Sequence, residues 1–266
     1  MTMKIGILGT GQISSALVTG FCTDQASAKK MHFYLSPRNK EKAAALAADF
    51  PANVTVCESN QQVLDQASDW VILALIPHDT EEILKPLHFY PQQKILTLIS
   101  DHPVERIKKW TGPSAKTIRM VPLPFAALHI GPIAYYPADD EIREMFAPLG
   151  QLVELDKEET LNSVLTLTAL MSPFYLLIHH TVEWGKAHDL SDRASLDYMA
   201  SFFEALSVMA AKAPDSEAVA TLCYDTTKGG LNEYAYQYIT KTGGYDKWIE
   251  ALNDVKARLD QADPNA

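Results

Sequence analysis

The sequence predicts an α/β fold: a Rossmann-type doubly wound sheet over residues 1–156, followed by an all-helical C-terminal domain over residues 157–266. Three observations predict it. The chain opens on an apolar strand, a glycine turn and a helix start in immediate succession. Short apolar segments then alternate with helical ones through the first half, as a parallel sheet with right-handed crossovers requires. After Leu152-Val153-Glu154-Leu155 the strand pattern gives way to long helical segments, punctuated by Pro173, Gly185, Pro214, Gly229-Gly230 and Gly243-Gly244.

Met3 to Leu8 reads as the first strand. Gly9-Thr10-Gly11-Gln12-Ile13-Ser14 turns the chain, and Ile13, Ala16, Leu17, Gly20 and Phe21 fall at helical spacing. His32 to Leu35 is the second strand, Asn39 to Asp49 an alanine-rich helix, and Val54 to Cys57 the third strand. Trp70 to Leu75 and Lys94 to Ile99 are continuous apolar runs, the mark of strands buried on both faces, with a helix at Thr80 to Leu87 between them. Two further strands are expected at Thr117 to Met120 and Ile133 to Tyr136, and a polar, frayed tail at Asp260 to Ala266.

The chain has 266 residues, 47% of them hydrophobic, with 23 Lys and Arg against 33 Asp and Glu. The net charge of −10 argues against broad binding to nucleic acid or to an anionic membrane, but not against a small anion held in a local pocket. No run approaches the roughly 18 apolar residues of a membrane span. Gly9, Gly11, Gln12, Ser14 and Ser15 break the N-terminal apolar run, so it reads as part of the fold rather than as a leader. Cys22, Cys57 and Cys223 are scattered and odd in number, which fits a reducing cytoplasm and small buried apolar roles. No metal-ligand spacing is present, so no metal site is expected.

A strand, a glycine turn and a helix start suit a dinucleotide pyrophosphate. Gly9 permits the turn, Gly11 lets the backbone approach, and the N–H groups at the helix start favour the negative charge. An NAD site places a carboxylate at the end of the second strand. This chain has Ser36-Pro37-Arg38-Asn39-Lys40 there, a hydroxyl and a guanidinium suited to a 2′-phosphate. NADP (NADPH) is therefore the expected cofactor, with NAD possible. The cofactor set is Gly9, Thr10, Gly11, Gln12, Ile13, Ser36 and Arg38, with Asn60, Leu75 and Pro77 farther along the same half.

From Met3 to about Arg258 the chain resembles pyrroline-5-carboxylate reductase. Met3 to Gly11 is similar to that family's N-terminus, and Ser36-Pro37-Arg38-Asn39 to its NADP-phosphate loop. Leu73-Ala74-Leu75-Ile76-Pro77 resembles its leucine-alanine-valine-lysine-proline segment, with Ile76 in place of the lysine. Arg119-Met120-Val121-Pro122 resembles its arginine-valine-methionine-proline strand end, and Asp225 to Gly230 its threonine-serine-proline-glycine-glycine motif. Leu149-Gly150-Gln151 and Thr168 through Tyr175 fall where the family enters its helical domain. The resemblance implies hydride transfer from NAD(P)H to the C=N bond of a cyclic imino acid, giving proline. It also implies a homodimer through the C-terminal helices, with an active site that the partner's helices help complete.

The substrate half departs from the family. Val121-Pro122-Leu123-Pro124-Phe125 is apolar where the family carries a polar pair, and Leu231-Asn232 stands where two threonines follow its double glycine. Backbone N–H groups at Gly229, Gly230 and Leu231, opening a helix, suit a substrate carboxylate. Asn232 has two readings, a replacement for the missing threonine or an exposed first-turn residue. Ser172 reads as a catalytic hydroxyl or as the N-cap before Pro173. Tyr175 keeps a family position and reads as a packing tyrosine before it reads as a catalytic group. Two alternatives stand beside the reductase: a β-hydroxyacid-dehydrogenase-like oxidoreductase, though Glu158 to Leu170 lacks that group's helical lysine, and a non-catalytic NADP-binding regulatory protein.

Overall fold

A computed structural model of the chain describes residues 2–112 and 116–262. The first of its two units, Met1–Leu165 with Leu259–Ala266, is built on an eight-stranded sheet. In chain order the strands are β1 (Met3–Leu8), β2 (Met31–Leu35), β3 (Val54–Val56), β4 (Trp70–Leu73), β5 (Lys94–Thr97), β6 (Thr117–Val121), β7 (Pro132–Tyr136) and β8 (Gln151–Glu154). They lie side by side as β3-β2-β1-β4-β5-β6-β7-β8. The strands β1 to β6 are parallel, while β7 pairs antiparallel with β6 and β8 parallel with β7.

The antiparallel β7 departs from the parallel pattern of the first six strands. The link from β6 to β7, residues 122–131, holds only the 3-10 turn Pro124–Leu128 and a left-handed His129. It lacks the length for a packed crossover helix, so the chain returns alongside itself. The next link carries the helix Asp140–Phe146, and β8 is parallel to β7 as a result. Two apolar runs end earlier than their composition predicts. After Leu73 the Ala74 N–H still bonds the Leu8 carbonyl at 2.8 Å, then the chain leaves the sheet, and β5 stops at Thr97.

All four residues of β4 are buried, as its unbroken apolar run requires, and successive side chains enter opposite cores. Trp70 and Ile72 join Ile5, Ile7, Phe33 and Met120 on one face of the sheet. Val71 and Leu73 join Leu8, Val63, Leu64 and Ile95 on the other. The helix Gln12–Thr23 sends Phe21 into the first core, 5.8 Å from Phe33 and 5.1 Å from Phe146 between ring centres. Its Gly20 lies directly on the 3-10 turn, where a Cβ would come within 2.4 Å of the Ala126 carbonyl oxygen. Only a bare backbone permits that approach. The helix Asp140–Phe146 is pinned by Glu141, which accepts from the Trp70 indole at 2.9 Å and from Lys94 at 2.6 Å.

The packing boundary falls at Leu165/Thr166, inside the helix Thr160–Thr168 and beyond the compositional change at 156. Leu161 explains the difference, because it is fully buried with Val121 and Ala134. The buried guanidinium of Arg119 adds a polar tie, reaching Glu158 at 3.4 Å, Asn162 at 3.3 Å and the Ser100 carbonyl.

The second unit, Thr166–Arg258, is helical. Met171–Lys186 packs on Asp192–Ala211, with Phe174 and Phe203 ring centres 5.4 Å apart and Gly185 set against Ser195. Shorter helices Ser216–Leu222 and Leu231–Lys241 precede Gly244–Ala262. That last helix continues through Asp260 to Ala262, where a frayed tail is expected; residues 263–266 of the tail lie outside the described residues. Ser172 is the second residue of its helix, after an N-cap at Leu170, so the capping role read from Ser172-Pro173 is not the one it has. Pro173 sits in the first turn, where its missing N–H costs no bond. Cys57 is buried, but Cys223 is exposed at the end of Ser216–Leu222, with its thiol 2.8 Å from the Ala220 carbonyl. One expectation about length also shifts. An 18-residue window within Thr160–Lys186 has a mean hydropathy of 1.6, so this stretch, the helices Thr160–Thr168 and Met171–Lys186 with the turn between them, is long and apolar enough to cross a membrane by length and composition only. Interspersed Thr, Ser and Asn hide this from a search for unbroken apolar runs.

Candidate functional site

The carboxyl ends of β1, β2 and β4 converge on the glycine turn. Gly9 has φ +99, and a Cβ there would lie 2.3 Å from the Ala74 carbonyl oxygen, so glycine is required by both conformation and space. Gly11 has nothing within 4 Å of where its side chain would begin, leaving the backbone bare toward solvent. Gly9, Thr10 and Gly11 line a cleft of about 580 Å³ with Arg38, Asn39, Lys40, Glu41, Ala74, Leu75 and Ile76. Gln12 and Ile13, the first two residues of the following helix, carry N–H groups that no intrahelical carbonyl can reach. A bare glycine backbone beside free N–H donors and a cleft of this size fits a dinucleotide pyrophosphate.

Two serines hold the turn from behind. Ser14, at the third small position, accepts from the Gly11 N–H at 2.8 Å and donates to the Gly9 carbonyl at 2.8 Å. Its size alone suggested close packing; its hydroxyl also completes half of a capping box. Ser36 accepts from the Gly9 N–H at 2.9 Å, while its carbonyl accepts from the Thr10 hydroxyl at 3.2 Å. It is 1% exposed. Its hydroxyl thus sits beneath the turn, not in the cleft where a phosphate-binding role would need it.

Arg38 is open to solvent, as is Lys40, and the two carry the positive charge at this end. Arg38 also lines an adjoining cleft of about 530 Å³ with Asn60, Lys40, Glu58, Asp79 and Glu82. There Arg38 donates to Asp79 at 2.5 Å, and His78 lies 2.8 Å from the other Asp79 oxygen. The Arg38 hydrogen bond holds the Asp79 carboxyl below its ordinary range. Pro77 opens the 3-10 turn that delivers Asp79. Nothing in the local sequence signals this pair, which spans 41 positions.

The remaining candidates lie in the helical unit. Gly230 is the N-cap of Leu231–Lys241, and Asn232 is in its first turn, exposed. Ser172 and Tyr175 are exposed on Met171–Lys186. Among the described residues none of Ser172, Tyr175 and Asn232 hydrogen-bonds another. The double-glycine turn differs from its expected open form. The Gly229 N–H donates to the Glu233 carboxylate at 2.5 Å, and the Gly230 N–H to the Thr227 carbonyl at 2.8 Å. Leu231 is 90% exposed. Glu233 stands three residues after the N-cap, the spacing of a capping glutamate, but it takes the N–H of Gly229, one residue before the cap, while the cap's own N–H goes to Thr227.

Comparison with known proteins agrees with this geometry. A family described as NADP oxidoreductase, coenzyme F420-dependent, matches residues 4–100. The pyrroline-5-carboxylate reductase of Aquifex aeolicus is 23% identical over 95% of this chain and 95% of its own. The 1-pyrroline-5-carboxylate reductase of Streptococcus pyogenes superposes with a TM-score of 0.82 at 20% identity, over 97% of this chain and 98% of that one. The pyrroline carboxylate reductase of Plasmodium falciparum, solved with NADP bound, gives 0.79 at 15% identity, over 97% and 98%. The chain thus has an NAD(P)-dependent oxidoreductase fold and resembles the pyrroline-5-carboxylate reductases over nearly its whole length, in sequence and in architecture.

Proposed function

We propose that the chain is an NADPH-dependent reductase of a cyclic imino acid or a related cyclic imine, with 1-pyrroline-5-carboxylate to proline as the leading case. The observation that carries this reading is the glycine cradle at Gly9–Gly11, joined to a likeness that runs through the helical half as well. NADPH, when bound, supplies the hydride. Gly11, Gln12 and Ile13 hold the pyrophosphate, Arg38 meets the 2′-phosphate, and Ala74, Leu75 and Ile76 wall the same cleft. Reduction of C=N also takes one proton to nitrogen, either already present on an iminium or given by a neutral donor. Asn232, Ser172 and Tyr175 are the candidates to orient that nitrogen, and Gly229, Gly230 and Leu231 are the candidates to hold the substrate carboxylate. A substrate carboxylate at this turn has to displace Glu233 from the Gly229 N–H.

The helical unit supports a homodimer. Tyr198, Phe202, Leu206 and Met209 follow one another at helical spacing and are all exposed. A reducing cytoplasm is the proposed location, in keeping with three free cysteines.

The test is loss of nicotinamide absorbance with a panel of cyclic imines, with and without a carboxylate, and of 2-oxo acids. Turnover of cyclic imines is expected. Turnover of 2-oxo acids alone overturns the reading in favour of the dehydrogenase. Cofactor binding without turnover of either class overturns it in favour of a regulatory protein.

A further inference from the structure

The adenosine end of the cofactor site carries a charge balance that a simple NADP-phosphate loop does not need. The cleft beside Arg38 has two cations, Arg38 and Lys40, facing three carboxylates, Glu58, Asp79 and Glu82. One of the cations is already committed: Arg38 donates to Asp79 at 2.5 Å. Asp79 is delivered by the turn after β4, the same loop whose Ala74, Leu75 and Ile76 wall the neighbouring cleft. A carboxylate in this position has two effects of opposite sign. It competes with a 2′-phosphate for the guanidinium, and it offers an acceptor to a free ribose hydroxyl.

We propose that Asp79 is a specificity-determining residue that restrains the preference for NADPH and lets the site accept NADH. Arg38 exchanges partners: it stays on Asp79 when the ribose is unphosphorylated and moves to the phosphate when NADPH enters. Discrimination between the cofactors is then set by the competition between two anions for one guanidinium. This inference rests on the dinucleotide reading of the glycine turn.

The experiment is a fluorescence titration of NADPH and NADH into the wild-type chain, Asp79→Asn, Arg38→Ala and the double variant. Asp79→Asn is expected to tighten NADPH roughly fivefold, as freeing the guanidinium from one exposed ion pair would, and to weaken NADH, which loses its ribose acceptor. In the Arg38→Ala background the same change is expected to give no gain. No tightening from Asp79→Asn overturns the proposal, as does a gain that survives loss of Arg38, which would mean simple repulsion without partner exchange. If neither cofactor binds the wild-type chain, the dinucleotide reading falls and the proposal falls with it. Melting curves of the four proteins separate a folding defect from a lost contact. If Asp79→Asn is unstable, Asp79→Ser serves in its place.

Discussion

Ser36 and Arg38 are two residues apart and do different work. Sequence reasoning groups them as phosphate ligands, but Ser36 is committed to the Gly9 N–H and lies below the turn. Ser36→Ala leaves that N–H without its acceptor, at a cost of about 1 kcal/mol, or roughly fivefold in affinity. Because the turn serves the pyrophosphate, NADH and NADPH are expected to weaken together, whereas Arg38→Ala weakens NADPH alone. Paired titrations decide this, and a loss confined to NADPH in Ser36→Ala would restore the phosphate role. Gly9 and Gly11 were legible because backbone geometry is written into the residue type. The partners of Ser36 and Arg38 were not, since they sit 27 and 41 positions away and nothing local encodes who arrives. Glu233 is the contrary case, a local contact with a known helix-start spacing.

Among the elements, the parallel core of the sheet was read from its apolar runs, while the direction of β7 was not legible in them. Period and composition report burial; direction depends on the length and packing of the connection. The helix Asp140–Phe146 that carries the chain from β7 to β8 starts at Asp139, whose side chain accepts from the Ile142 N–H at 3.0 Å and pairs with Lys116. Burial raises the Asp139 pKa, but Lys116 and the cap N–H groups outweigh it and the net shift is downward. A lowered folded value means stability that is present above the unfolded carboxylate pKa of about 3.9 and lost as pH falls through the folded value. Asp139→Ala is expected to cost about 1 kcal/mol near neutral pH. The gap from wild type should close below about pH 4. Thermal melts across that range test it, and a gap independent of pH would remove the charge from the account.

At the level of the whole molecule, the first unit packs most of its large apolar side chains into its own cores, but the helical unit leaves much of its surface apolar. The stripe Tyr198, Phe202, Leu206, Met209 is the most regular part, and Tyr198 stacks on Phe202 with ring centres 6.2 Å apart. Leu206→Glu places a charge in the middle of that stripe. It is expected to convert a dimer to a monomer by light scattering and to leave NADPH binding intact. A wild-type monomer, or a variant that stays dimeric, would exclude this stripe as the interface. The sequence showed that the second half is helical but not which face is bare, because that depends on how the helices pack.

The contact between Gly20 and Ala126 links two positions outside the linings of both clefts. Gly20 lies eight residues, about 12 Å along the helix axis, from Gln12 at the phosphate end. The helix moves as a rod, so a methyl group at position 20 displaces the donors at its start. A random-mutagenesis screen for altered cofactor affinity will therefore return hits at Gly20 and Ala126. The clash is with the backbone carbonyl of Ala126, so no side-chain change at 126 relieves it, and position 20 will stay glycine through the descendants of this chain.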